Sequence, residues 1–396
     1  MKITGMNEKK YTLLTLTLVV LTLSSVVILN YLVDPYSFYG HNYVKLSKTQ
    51  QIDQLRLSKV VRLEEVKPRS IVFGTSRAEF GYNPEHDYFV QPAYNLSVGG
   101  SSVYEARLYL EHAIKRGGIE RVLFVADYIM FNSNKEKRVE DLESYFSKKN
   151  LFKFLFNFQT TRSSLKTFRG ESQKKYTIYL ENGQREHNHN AVNIRRFGGQ
   201  YRKLRSMMSY FSGYDNNNHY RDTGKDSFQD LRAILELAYS NDIEMDVIFG
   251  PNHILHWESF DHYIGLDKWF GWKKDVLSAV EDVARSYEKE AYPVYDFSIY
   301  HQYTAEPIPS DKNTLMNLHW ELNHYKTELG DLVMDRLLGG ESGFGVKLTG
   351  DNINEHIRLQ KLQRAQHVDI ENYRETVLIN KRKVDLNQYL LRNFET

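Results

Sequence analysis

The chain has 396 residues, of which 41% are hydrophobic and 13% aromatic, and its 52 basic residues nearly balance 50 acidic ones. This balance argues against nucleic-acid binding, which calls for a clear excess of positive charge. The length is enough for one large core, and we expect one folded domain with insertions. The sequence contains no cysteine, which excludes disulfide bonds, thiolate metal sites and an acylated N-terminal cysteine.

An uncharged apolar segment lies near the N-terminus, at residues 11–33. As a helix it would be roughly 34 Å long at about 1.5 Å per residue, which is enough to cross a bilayer. Three lysines precede it within residues 1–10, so the positive-inside rule predicts a cytoplasmic N-terminus and an extracytoplasmic chain after Asp34. A cleaved signal peptide would need a shorter apolar core and small residues at a cleavage site. We therefore expect a single-pass protein held in the membrane lipid by this helix.

After this segment, predicted helices alternate with predicted strands. Residues 34–66 contain a charged, leucine-spaced stretch that predicts a helix connecting the membrane to the first strand. Strands are predicted at residues 71–74, 93–96, 121–127, 245–250 and 293–297, and helices at residues 103–115, 228–240 and 325–338. The alternation predicts an α/β fold whose parallel sheet is covered by helices on both faces.

The alternation stops between about residues 133 and 223, where basic, amide and aromatic residues dominate. We interpret this stretch as a cap inserted into a domain of residues 67–340, with a hairpin at residues 176–184 around an Asn-Gly turn. Aromatic and polar side chains together suit a sugar-binding surface. The alternative is an ordinary polar loop region whose Phe and Tyr side chains pack on the core, which would have the same composition.

Residues 341–396 predict a C-terminal helical extension. Its apolar positions include Ile353, Ile357, Leu359 and Leu362, and we expect them to pack against the domain or, as the alternative, against a partner helix.

Two short motifs carry the candidate chemistry. Ser76 follows a short apolar strand, where a turn can hold its hydroxyl clear of the sheet. Glu321 precedes His324 by three residues, which would place both on one side of a helical turn and let the carboxylate orient the imidazole as a general base. The pairing predicts ester chemistry with Ser76 as the nucleophile. The alternatives are a helix-capping Ser76, a surface Glu-His pair, or Asp296 in place of Glu321.

Several motifs resemble the SGNH, or GDSL-like, hydrolase superfamily. These motifs are Gly-Thr-Ser-Arg at residues 74–77 and Glu-x-x-His at residues 321–324. A closer resemblance, to membrane-anchored SGNH-like proteins found among bacterial exopolysaccharide genes, is carried by residues 94–100, 127–132 and 324–331. The resemblance covers residues 60–365. It implies a flavodoxin-like sheet, a Ser-His-Glu triad, serine esterase or O-acetyltransferase activity, and a place in the bacterial inner membrane.

The oxyanion hole is where this sequence departs from the superfamily. Its members carry an asparagine side chain after the third strand, but here that strand is followed by Asp127, which cannot donate a hydrogen bond when ionised. Asp127 could instead be a structural acceptor. The backbone amides of Ser76 and Gly100 remain as candidate donors. Side-chain amides that could replace the missing one are those of Asn95, Asn132 and Asn252.

Arg77 could bind an acidic sugar, orient the acyl donor, or form a salt bridge at the sheet edge. No cofactor is implied, and no metal site is predicted, because His187 and His189 are only two residues apart in a polar loop.

The resemblance implies a polysaccharide substrate, exported or in the cell envelope, that carries acyl groups, most simply acetyl. A transferase outside the membrane would also need a membrane protein partner to supply those groups. The alternatives are a catalytically silent binding or assembly subunit of polysaccharide export and, third, a peptidoglycan esterase.

Overall fold

The structure, a computed structural model, describes residues 8–132, 151–170, 179–186, 188–214, 217–221, 223–340 and 343–382. Contacts divide them into two compact units, one within Met1–Glu65 and Asp141–Tyr179 and the other within Val66–Glu140 and Leu180–Thr396. Some predictions fall outside the described residues: the start of the cytoplasmic segment, most of the first hairpin strand, His187, and the extension after residue 382.

The first unit is built on the apolar N-terminal segment, which forms helix α1 (Glu8–Val33). Among the described residues, it is the one helix long and apolar enough to span a membrane. A 3₁₀ turn (Gln51–Gln54) and helix α2 (Leu55–Val66) follow. The connecting helix is therefore shorter than predicted. The chain turns directly after α1, because the Asp34 carboxylate accepts hydrogen bonds from the backbone amides of Phe38 and Tyr39.

The predicted cap does not form one body. Its helices α5 (Phe152–Leu155) and α6 (Phe158–Phe168) belong to the first unit, whereas α7 (Asn188–Phe197) and α8 (Gln200–Ser206) belong to the second. The predicted Asn-Gly turn is present in the second unit, where the Gly183 amide donates to the Leu180 carbonyl. Composition alone could not show that the inserted residues are divided in this way.

The second unit contains one six-stranded sheet, which confirms the predicted α/β class. Its strands are β1 (Ser70–Phe73), β2 (Ala93–Asn95), β3 (Arg121–Ala126), β4 (Glu244–Phe249), β5 (Val294–Asp296) and β6 (Val346–Leu348). They lie in the order β2-β1-β3-β4-β5-β6, with the first five parallel and β6 antiparallel to β5. The first five are those predicted. The sixth was missed, because its three residues, Val-Lys-Leu, are too few to establish the alternation of apolar and polar side chains that indicates a strand.

Helices connect the strands of this sheet. They are α3 (Ser76–Gly81), α4 (Val103–Arg116), α9 (Ser227–Ser240), α10 (Leu255–Tyr263), α11 (Leu266–Ser286) and α12 (Thr327–Leu337). After β6 come α13 (Ile353–His367), α14 (Ile370–Tyr373) and a π-helical turn (Arg374–Ile379). Short 3₁₀ turns lie at Tyr128–Phe131 and Tyr210–Gly213.

The C-terminal extension packs only in part as predicted, since two of its four named apolar residues are buried and two are exposed. Helix α13 buries Ile353 and Ile357, but the same face continues through the polar residues Gln360 and Arg364. Leu359 and Leu362 lie on the other face and are exposed. The buried polar residues have partners, such as the two Glu258 oxygens for Arg364, so hydrophobicity alone did not reveal the packed face.

Candidate active site

Ser76 lies where strand β1 gives way to helix α3. Gly74 makes this tight connection possible, because a Cβ atom there would come within 2.6 Å of the Ala78 Cβ. The helix cap is Thr75, whose side chain accepts from the Arg77 amide at 3.4 Å. Ser76 is therefore the first helical residue and not the cap, and its hydroxyl remains available for other contacts.

The hydroxyl contacts a histidine from the far end of the chain. Ser76 Oγ lies 2.7 Å from His324 Nε2. On the other side of the ring, His324 Nδ1 is hydrogen-bonded to Glu321 Oε1. The structure thus brings together the three residues that the two sequence motifs single out. Sequence spacing alone could not show that Ser76 and His324 are in contact, because 248 positions separate them.

Glu321 and His324 lie in a turn before helix α12, and the expectation of a helical turn is wrong. The Trp320 amide donates to the His324 carbonyl at 2.8 Å, which closes the turn. The Glu321 carboxylate accepts from the backbone amides of Asn323 and His324, both at 3.1 Å. Glutamate is long enough to bind these amides and the imidazole together, so the longer side chain is part of the turn.

The surroundings keep Glu321 ionised. Burial opposes its ionisation, but the neighbouring His324 ring, the Asn323 amide and the Lys203 ammonium outweigh burial and lower the pKa of Glu321 below its ordinary value of 4.5. Glu321 is only 3% exposed. An ionised carboxylate at this position favours a proton on Nδ1 of His324, which leaves Nε2 free to accept the proton of Ser76.

Arg77 and Asp127 bind each other beside Ser76. Arg77 Nη1 lies 3.2 Å from Asp127 Oδ1, and both residues are buried. Asp127 also accepts from the Thr75 hydroxyl at 2.8 Å. The second guanidinium nitrogen of Arg77 donates to the carbonyls of Gly250 and Pro251, at 2.8 and 2.7 Å. Of the predicted roles, the salt bridge and the structural acceptor are therefore the ones observed.

Two asparagines predicted as oxyanion donors are held elsewhere. Asn95 donates its amide protons to the carbonyls of Ala78 and Tyr82, at 2.9 and 3.0 Å, so that prediction is wrong. Asn252 lies 3.1 Å from a ring nitrogen of His256 and accepts from the Ser298 hydroxyl. Both side chains stabilise turns at strand ends, a use that sequence position does not distinguish from catalysis.

The glycine pair after β2, Gly99 and Gly100, lies close to Ser76. A Cβ atom added to Gly99 would lie 3.6 Å from the Ser76 Cβ, so Gly99 is packed against the serine. Gly100, the predicted donor, adopts a positive φ of 68° in the turn closed by the Ser101 amide and the Val98 carbonyl. This turn places the glycine backbone next to Ser76.

Sequence analysis missed Asn323. A small cleft opens at Ser76 and His324 and is also lined by Asp127, Tyr210 and Asn323. Asn323 is 3% exposed, and neither its amide nitrogen nor its amide oxygen has a hydrogen-bond partner among the described residues. Its position directly before His324 is the signal that the sequence offers.

A second and larger space lies next to the imidazole of His324. It shares His324 with the first cleft. Its walls include the aromatic rings of Phe80 and Trp320 and the basic side chains of Arg185 and Lys203. This combination of rings and polar groups can bind a ligand with both apolar faces and hydrogen-bonding groups.

Asp296, the alternative carboxylate, does not serve His324. It lies at the end of β5 and accepts from Lys273 Nζ at 2.7 Å and from His356 Nε2 at 2.9 Å. Burial opposes ionisation of Asp296, but these two partners outweigh burial and lower its pKa below the ordinary 3.8. Asp296 therefore belongs to a buried ionic cluster, and Glu321 is the carboxylate at the candidate site.

Ser76, His324 and Glu321 form one hydrogen-bonded chain from hydroxyl to carboxylate. Such a chain can take the proton from the hydroxyl as its oxygen attacks a carbonyl carbon, and it needs no further group to do so. In sequence comparisons, no protein-family model matches this chain, and no curated protein is significantly similar to it.

Proposed function

We propose that this protein is an SGNH-type serine esterase or O-acyltransferase. It acts outside the cytoplasm on acyl groups, most simply acetyl, of an exported or cell-envelope polysaccharide. The observation that carries the proposal is the 2.7 Å contact between Ser76 Oγ and His324 Nε2, with Glu321 bound to the opposite ring nitrogen. The parallel order β2-β1-β3-β4-β5, with Ser76 directly after β1, supports the flavodoxin-like assignment.

The proposed reaction has two steps. In the first, Ser76 Oγ attacks the ester carbonyl while His324 Nε2 takes its proton, and the imidazolium is stabilised by Glu321. His324 then returns the proton to the departing sugar oxygen, which leaves an acyl group on Ser76. In the second step His324 takes a proton from water or from another sugar hydroxyl as that oxygen attacks the acyl-serine. His324 then returns the proton to Ser76 Oγ as the bond between the serine and the acyl group breaks. Water gives hydrolysis and a hydroxyl gives transfer.

The side chain of Asn323 is our candidate for the missing oxyanion donor. Its amide is buried, has no hydrogen-bond partner within the described part of the chain and lines the same cleft as Ser76. An amide N–H can donate to the negative oxygen that forms during attack. The backbone amides of Ser76 and Gly100 would be the other donors. The Asp127 carboxylate would repel the negative oxygen less than an unpaired carboxylate would, because Arg77 forms an ion pair with Asp127.

Replacing Asn323 with alanine is expected to lower kcat for p-nitrophenyl acetate by about 10²- to 10³-fold, with a small effect on KM, because the lost donor acts on the transition state. Steady-state kinetics of the purified full-length protein measures both. Asn354→Ala, on the exposed side of α13, is the control. An unchanged kcat in folded Asn323→Ala would remove this residue from the oxyanion hole.

Replacing Asp296 with asparagine is expected to reduce the free energy of unfolding by about 3 to 5 kcal/mol, because Lys273 would stay buried without a carboxylate. Urea unfolding at neutral pH measures the loss. Since the pKa of Asp296 is lowered, its contribution is complete above the ordinary value and disappears as pH falls through the lowered one. Normal stability with lost esterase activity would instead make Asp296 the catalytic carboxylate.

The larger space beside His324 supports a sugar substrate. Pyranose faces stack on aromatic rings, and Trp320 and Phe80 offer rings there, while Asn190 and Asn193 offer hydrogen-bonding amides. The polysaccharide itself is inferred from the family resemblance of the motifs.

Helix α1 supports the membrane location. Five of its six Ser and Thr hydroxyls are satisfied within the helix, as lipid requires, since they donate to carbonyls four residues earlier; these are Thr12, Thr15, Thr17, Thr22 and Ser25. With Lys9 and Lys10 before the apolar segment, the proposed orientation has the N-terminus in the cytoplasm and the second unit outside. A transferase would then receive acyl groups from a membrane partner.

A serine-directed fluorophosphonate tests the proposed nucleophile. We expect the full-length protein in detergent to be labelled, and labelling to be lost in Ser76→Ala. It should be retained in Ser278→Ala, where an exposed serine is removed. Absence of labelling in folded wild-type protein, together with no hydrolysis of p-nitrophenyl acetate, would favour the catalytically silent binding subunit.

A further inference from the structure

Helix α6 (Phe158–Phe168) has its polarity reversed relative to a helix in water. Its buried residues are all hydroxyl-bearing: Thr160, Ser163, Ser164 and Thr167. Its phenylalanines point outward, with Phe158 82% and Phe168 65% exposed. Just before it, Phe152 and Phe156 are also exposed. A helix that faces water normally buries its apolar face and exposes its polar one.

The polar face of α6 packs against α1. Asn30, near the C-terminal end of α1, donates to the Leu155 carbonyl at 2.9 Å and to the Thr161 hydroxyl at 3.0 Å. It also accepts from the Ser164 hydroxyl at 2.9 Å. Small hydroxyl residues and one central amide are the groups that join helices within lipid, where apolar contacts give no advantage over the solvent.

The length of α1 puts this contact at membrane depth. Residues 11–25 are exposed on every side, and at about 1.5 Å per residue they reach roughly 22 Å. The hydrocarbon core is roughly 30 Å thick. A helix that crosses it must therefore also use part of the segment from Val26 to Val33, where burial by neighbouring residues begins.

The charges of the same segment match a lipid surface. Residues 151–170 contain four basic residues, Lys153, Arg162, Lys166 and Arg169, and no acidic residue. Exposed aromatic rings interspersed with basic side chains are typical of elements that lie in the bilayer interface and contact anionic headgroups.

We propose that residues 152–168 form a membrane-interface element at the C-terminal end of α1. The exposed phenylalanines of this segment, Phe152, Phe156, Phe158 and Phe168, enter the acyl-chain boundary, and its basic side chains contact headgroup phosphates. This inference rests on the proposed membrane anchor, but it is independent of esterase activity.

Depth-dependent fluorescence quenching tests the proposal. The chain has no cysteine, so Phe158→Cys or Phe168→Cys in the full-length protein can be labelled with an environment-sensitive dye. The protein is reconstituted in vesicles of phosphatidylcholine and phosphatidylglycerol. Two reference positions of similar exposure are labelled in the same way, Leu18→Cys in α1 and Leu338→Cys in the second unit.

Labels at positions 158 and 168 are expected to be quenched by a lipid that carries a nitroxide near its headgroup, and protected from aqueous iodide. The label at 338 should show the opposite behaviour, and the label at 18 should be quenched by lipid. Iodide quenching at 158 and 168 equal to that at 338, with lipid quenching at 18, would overturn the proposal. No lipid quenching at 18 would overturn the anchor and this inference together, while fluorophosphonate labelling of Ser76 would be unaffected.

Discussion

Replacing His324 with glutamine is expected to lower kcat for p-nitrophenyl acetate by roughly 10⁶-fold, the size of the loss when a serine hydrolase loses its general base. The physical reason is that a serine hydroxyl is a weak nucleophile unless its proton is removed during attack. His324 Nε2, at 2.7 Å from Ser76 Oγ, is the base in contact with it. Stopped-assay hydrolysis rates on purified full-length protein measure the loss.

His219→Gln is the matched control for this substitution. His219 is exposed and bonds only to Asn217 among the described contacts of its ring, so its loss should leave kcat unchanged. Fluorophosphonate labelling should fall together with hydrolysis in His324→Gln, because both depend on the same activated oxygen. Wild-type rates in a folded His324→Gln protein would show that the observed contact is not catalytic.

Replacing Glu321 with glutamine is expected to lower kcat by roughly 10⁴-fold, as when the orienting carboxylate of a triad becomes an amide. Glutamine has nearly the same shape, but it does not carry the charge that stabilises the imidazolium. Its amide group can also donate to Nδ1 and favour the wrong tautomer of His324. Steady-state kinetics measures the change, and circular dichroism shows that the fold is retained.

Two comparisons make the Glu321 prediction specific. Glu321→Asp should lie between the wild type and the glutamine variant, because aspartate keeps the charge but is one methylene too short to bind the imidazole and both turn amides. The lowered pKa of Glu321 also means that its carboxylate stays ionised down to a pH below 4.5. Its contribution to activity and stability should therefore be lost only as pH falls through that lowered value. Equal activity of Glu321→Gln and the wild type would exclude this role.

The sheet could be predicted because its first five strands are buried on both faces and appear as short apolar runs between helical segments. Residues Ile71, Val72 and Phe73 of β1, for example, are all buried. Strand β6 contains only three residues and pairs with β5 from far along the chain. Its pairing depends on tertiary contacts that a local pattern does not contain.

The candidate triad could be predicted because its residue types and their spacing are set by the chemistry. The rest of the site could not, since an asparagine in a turn looks the same in sequence whether its amide is bound or free. Asn95 is committed to the carbonyls of Ala78 and Tyr82, whereas Asn323 has no partner among the described residues. Only the packed structure distinguishes the two.

The helix Phe158–Phe168 gives a similar lesson for the inserted region. Its composition of aromatic and polar residues suggested a sugar-binding cap, but composition does not say which face is turned outward. The hydrogen bonds of Asn30 to this segment decide that its hydroxyl groups face α1.

The guanidinium of Arg77 ties together three neighbouring strand ends: it binds Asp127 after β3 and two carbonyls after β4, while Asp127 in turn holds Thr75 after β1. These contacts fix the strand ends around Ser76 when the chain folds. The conformational entropy of positioning Ser76 is therefore lost during folding. In the proposed reaction, little of this entropy cost would remain to oppose the chemical step. The ammonium group of a lysine at this position could not bind the Asp127 carboxylate and both carbonyls in a fixed geometry. We therefore expect a lysine here to leave Ser76 in place but less precisely oriented.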